Sequence, residues 1–90
     1  MYRVGFTIKA REDVAKLGRS ERQAHKKFTL LIQELCEHPE TGTGHPEPLG
    51  GSRAGQWSRR ITQKHRLVYL INKEEMEVLV ISAYGHYDDK

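Results

Sequence analysis

Ninety residues leave room for one domain, residues 1–90, with a small core. Fifteen Lys and Arg against twelve Asp and Glu give a formal net charge of +3, a mild basic bias compatible with a polyanionic partner and far short of a highly charged nucleic-acid arm. A single cysteine, Cys36, excludes an internal disulfide, no apolar run reaches membrane-spanning length and no signal-peptide core opens the chain, so the expectation is a cytoplasmic protein without membrane contact.

In chain order, residues 2–8 alternate as a strand with Tyr2, Val4, Phe6 and Ile8 on one face. Lys9 to Leu17 predicts a short helix that Gly18 stops. A second helix is expected from Ser20, where Ser20 and Gln23 have capping-box spacing. Ala24, Phe28, Leu31 and Leu35 recur on one helical stripe, widened by Leu30 and Ile32, and Pro39 ends it. Arg22, His25, Lys26 and Lys27 fall mostly off that stripe and read as a solvated face. Cys36 reads as a small hydrophobe in the same pattern.

Residues 38–56 predict a long loop, in which Pro46 and Pro48 restrict the backbone on both sides of Glu47. Three strands follow at Gln56–Thr62, His65–Asn72 and Glu77–Tyr84, with connections short enough for an antiparallel meander. The order β-α-α-β-β-β predicts an α+β domain, an N-terminal strand and two helices packed on one face of a mainly antiparallel sheet.

The chemistry-bearing residues concentrate in the second half. Glu47 is a pre-organised carboxylate suited to a general base. In the strand after it, Trp57, Arg59 and Ile61 face one way and Ser58, Arg60 and Thr62 the other. An odd-numbered turn places Arg60 across from Arg66, whereas a two-residue turn places Arg59 on the face of Arg66, and the sequence leaves both open. His86, followed by Tyr87, has the side chain whose ordinary titration range suits a general acid. His45, His65 and His86 match no tight metal-ligand spacing, so no metal is expected. There is no phosphate-binding glycine loop, nucleophile elbow or dinucleotide fingerprint.

Four collinear motifs, Pro46-Glu47-Pro48-Leu49, Trp57-Ser58-Arg59-Arg60-Ile61, His65-Arg66-Leu67-Val68-Tyr69 and His86-Tyr87, resemble those of the Txe/YoeB toxins of the RelE-like superfamily. The resemblance implies a RelE-like, microbial-RNase-like fold. It implies a toxin acting as a ribosome-dependent mRNA endoribonuclease in the ribosomal A site, needing no metal or cofactor. Its partners would be the 70S ribosome with mRNA and a YefM/Axe-like antitoxin, and a homodimer stays open. It assigns catalytic roles to Glu47, Arg60, Arg66, His86 and Tyr87, and RNA contact to Arg59; RNA contact is also expected of Lys64, on the ground that ribosomal RNA is the largest nearby anion. The chain departs from many relatives at Gly50, at Lys64 and in the Asp88-Asp89-Lys90 extension. The competing reading is a non-cleaving protein that occupies a ribosomal or RNA site and blocks translation.

Overall fold

The computed structural model describes residues 1–85. Strand β1 covers Arg3–Phe6. Thr7 then ends the strand and opens helix α1, Ile8–Ser20. Its hydroxyl accepts the Ala10 N–H at 3.0 Å, which satisfies one of the amides that a helix start leaves without a partner. Ile8, expected in the strand, is therefore the first helical residue and is exposed.

Gly18 does not stop α1. The helix passes through it, and a Cβ there would meet the His25 ring at an ordinary contact distance of 3.4 Å. The expected capping box is also absent. Ser20 is the last residue of α1 and its hydroxyl donates to the Lys16 carbonyl at 2.9 Å, inside its own helix. One residue, Glu21, separates α1 from α2, which spans Arg22–Glu37 and has no side-chain cap. The predicted stripe of Ala24, Phe28, Leu31 and Leu35 is buried in full. Ile32 packs at its margin, whereas Leu30 is 46% exposed and lies off it.

The long loop contains an unpredicted two-residue strand, β2, Glu47–Pro48, and a 3₁₀ turn at Gly51–Arg53. Strands β3 (Gln56–Arg60), β4 (Arg66–Asn72) and β5 (Glu77–Ser82) form the expected antiparallel meander. The sheet order is β1-β5-β4-β3-β2, with β1 parallel to β5. Both helices lie on one face. There Leu67, Tyr69, Val78 and Val80 join Leu17, Phe28, Leu31 and Leu35 in the core. The opposite face carries no helix among the described residues and is open in part: Leu70 and Leu79 are partly exposed there, whereas Ser58 and Val68 are fully buried. Among the described residues no helix is long and apolar enough to cross a membrane.

Candidate active site

The open face receives alternate residues of β3 and β4. Strand pairing sets Glu47 opposite Ser58, Ser58 opposite Val68, and Arg60 opposite Arg66. The odd-numbered turn is thus the one adopted. The loop from Ile61 to His65 closes with the Ile61 and Thr62 amides on the His65 carbonyl, while the Thr62 hydroxyl accepts the Lys64 and His65 amides. Directly opposed residues on one face have Cβ atoms about 5 Å apart. Glu47 stands two residues along from Arg60 on that face, roughly 7 Å at the usual strand rise.

Glu47 and Arg60 are exposed and Arg66 is half-buried. Among the described residues, none of these three side chains makes an ion pair or a side-chain hydrogen bond. The Arg66 Nε and the Ser58 Oγ beside it are both buried and, among the described residues, without a partner. Two facing guanidiniums repel one another, and buried donors left unpaired are costly, so this face is electrostatically incomplete by itself. A phosphate meets both demands, since it carries negative charge and several acceptor oxygens.

Arg59 lies on the other face, and its expected contact with RNA is corrected by the structure. Its guanidinium is fully buried. Nε donates to the Tyr69 hydroxyl at 3.1 Å, and Nη1 to Glu34 at 2.8 Å and to the Thr43 carbonyl at 3.3 Å. Nη2 donates to the carbonyls of His38 and Thr41. A guanidinium so enclosed has no donor left for phosphate. It binds the chain's own loop instead, fastening residues 38–43 to α2 and to the sheet.

Glu34 completes that anchorage. Its carboxylate accepts the Thr43 amide at 2.7 Å and the Thr43 hydroxyl at 2.6 Å. Burial raises the Glu34 pKa, but the Thr43 bonds and Arg59 outweigh it and hold the carboxyl below its ordinary value. Tyr69 donates to the Pro39 carbonyl at 2.8 Å, and burial is the main reason its phenol is raised. The loop then runs close against β3. The Arg60 amide donates to the Gly44 carbonyl at 2.7 Å, and a Cβ on Gly44, whose φ is +87°, would lie 2.8 Å from the Arg60 carbonyl. His45 follows at φ +52°. These constraints deliver Glu47 to β2.

Lys64 lies on the exposed turn, with Nζ 3.9 Å from Glu21. Trp57 packs partly against the core. Among the described residues no group of three His, Cys, Asp or Glu side chains could hold a metal. The expected roles of His86 and Tyr87 lie outside the described residues. His65 carries more structure than the sequence implied: it is fully buried, with Nε2 2.8 Å from Glu21 and Nδ1 accepting the Gly85 amide at 2.8 Å. The buried partners of Arg59 and His65 are all far off in the chain, so spacing carries no sign of either.

Two helices on a mixed sheet, with a carboxylate and opposed arginines on the bare face, define an α+β toxin of the RelE-like class. The family described as "YoeB-like toxin of bacterial type II toxin-antitoxin system" matches residues 6–87. The chain belongs to this YoeB family and is thereby the toxin component of a type II toxin–antitoxin system. It is 38% identical over 85 residues to Toxin YoeB of Streptomyces coelicolor, covering 94% of this chain and 99% of that one. Its structure resembles the YoeB/ParE toxin from Agrobacterium tumefaciens with a TM-score of 0.88 at 35% identity, covering 94% of this chain and 99% of the other. It also resembles the YoeB-YefM complex from Staphylococcus aureus, with a TM-score of 0.82 at 28% identity over 97% of this chain and 99% of that one.

Proposed function

We propose that the protein is a ribosome-dependent endoribonuclease that cleaves mRNA in the ribosomal A site and so arrests translation in the cytoplasm. The observation that carries this reading is the opposed pair Arg60 and Arg66, without ion-pair partners among the described residues, on the same sheet face as Glu47. Glu47 takes the proton from a 2′-hydroxyl, whose oxygen attacks the adjacent phosphorus. Arg60 and Arg66 hold the charge that builds on the non-bridging oxygens; cations already in place need little reorganisation as that charge develops. The bond from phosphorus to the 5′-oxygen breaks, and His86 protonates that oxygen as it leaves. Tyr87 orients the phosphate or stacks on a base. The products are a 2′,3′-cyclic phosphate and a 5′-hydroxyl. The internal nucleophile makes a metal or cofactor unnecessary.

Lys64, on the exposed turn, makes a further contact to RNA, for which ribosomal RNA is the dominant nearby polyanion. A YefM-type antitoxin is the proposed partner, in keeping with the YoeB-YefM complex from Staphylococcus aureus, and a homodimer is proposed in keeping with the YoeB dimer from the same organism. The test is a toeprint on a defined mRNA in reconstituted translation, comparing wild type with Glu47→Ala. A new 3′ end at the A-site codon, seen only with ribosomes and only with wild type, is the expected result. Ribosomes stalled equally by both proteins on intact message would replace this reading with that of a non-cleaving inhibitor.

A further inference from the structure

We propose that His65 is a positioning residue for cleavage, oriented by Glu21 and acting through the backbone of Gly85 on the C-terminal segment that carries His86. The inference rests on the ribonuclease reading above. It begins from a buried imidazole to which that chemistry gives no task. His65 is 0% exposed and both its ring nitrogens are engaged.

The tautomer follows from the partners. A backbone N–H only donates, so Nδ1, which receives the Gly85 amide at 2.8 Å, presents a lone pair. The proton therefore sits on Nε2, where it is donated to the Glu21 carboxylate at 2.8 Å. A carboxylate that fixes a histidine tautomer is the same arrangement that aims a catalytic imidazole in a hydrolytic triad. Here the acceptor face is aimed at the main chain.

The segment so gripped is held at consecutive residues. The Ala83 amide donates to Asp13 at 3.0 Å. The Tyr84 ring lies against His65, with centroids 4.3 Å apart, and Lys16 sits over it at 5.0 Å. Gly85 has φ +75°, and its carbonyl accepts the Arg66 amide at 2.9 Å. Gly85 is thus bonded through its N–H to His65, the last residue of the turn, and through its C=O to Arg66, the first residue of β4 and itself an active-site guanidinium. The exit toward His86 and the placement of Arg66 share one anchor. Glu21 adds the junction of α1 and α2 to it.

Two substitutions divide the ring's functions. His65→Asn retains an acceptor near Nδ1 and loses the reach to Glu21. His65→Gln retains a donor near Nε2 and loses the acceptor for Gly85. Misplacement of a reacting group by about 1 Å costs on the order of 100-fold. The expected result is that His65→Gln lowers the single-turnover cleavage rate by about that factor, with ribosome affinity unchanged. His65→Asn should stay at least about tenfold faster than His65→Gln, although it loses the bond to Glu21. Glu21→Ala, a change at a partly exposed residue, should slow cleavage with the wild-type circular dichroism spectrum retained, because nothing then holds the proton on Nε2. Nuclear magnetic resonance supplies a readout independent of activity: a coupling across the hydrogen bond between the Gly85 amide nitrogen and His65 Nδ1, present in wild type and lost in Glu21→Ala.

Equal cleavage by His65→Gln and wild type would overturn the proposal. So would equal losses in the Gln and Asn variants that track thermal stability alone. A wild-type protein that leaves message intact would overturn the ribonuclease reading and this role with it, while the Gly85–His65 coupling would still be observed. A cleaving wild type without that coupling would overturn the positioning role alone.

Discussion

Arg59 and Arg60 are neighbours in sequence with opposite surroundings. Arg59 closes the core end of a loop and Arg60 stands bare on the open face. Arg59→Leu would leave Glu34 and several loop carbonyls without their donor. Loss of one member of a buried ionic network costs about 3–5 kcal/mol, which urea unfolding will register. Arg59→Lys should recover only part of it, since an ammonium lacks the planar fork that reaches several acceptors at once. Arg60→Gln should leave urea stability near wild type and lower the cleavage rate by about 100-fold to 1,000-fold, the usual range for one donor to a developing oxyanion. Glu34 supplies a pH test. Its folded pKa is lowered, so its contribution to stability is present above its ordinary value and is lost as pH falls through the folded value. The difference in Tm between wild type and Glu34→Gln should therefore be largest near neutrality and vanish in acid.

At the scale of elements, the loop before β2 acts as a fitted spacer. Gly44→Ala forces a side chain onto a left-handed residue and against the Arg60 carbonyl, at a cost of about 1–2 kcal/mol from the backbone conformation alone. Thermal unfolding should show that loss, and cleavage should fall further than stability because Glu47 moves with the loop. The helices teach a related lesson about legibility. The stripe Ala24, Phe28, Leu31, Leu35 was readable because burial repeats with helical period. The junction was not: Gly18 and Ser20 look like a stop and a start, yet α1 continues through Gly18 and the Ser20 hydroxyl bonds back to Lys16 inside the same helix. Strand β2 was hidden because two residues are too few to show a period, and pairing with β3 alone defines it. At the site, alternation sorted Arg59 from Arg60. It could not choose the face, which depended on how the turn through Ile61 to His65 closes.

For the whole molecule, the charge of +3 is modest, but its unpaired part is well placed. Arg60 and Arg66 share the sheet face opposite the helices, with Arg60 exposed to an approaching polyanion and Arg66 half-buried beside it. Ribosome affinity should weaken steeply between 50 and 200 mM salt, and Arg60→Gln should reduce the slope of log affinity against log salt by about one unit. The order of the sheet also bears on how the protein is made. Strand β5 is an inner strand, bonded to β1 on one side and β4 on the other, although it is the last strand of the described chain. During synthesis β1 emerges first and has no neighbour until Glu77–Ser82 leaves the exit tunnel. Pairing so distant along the chain delays completion of the fold. A polypeptide interrupted before Glu77 has neither an edge for β1 nor the segment that meets His65. The sheet of this toxin is thus completed only when its last-made described strand is available to take its place between β1 and β4.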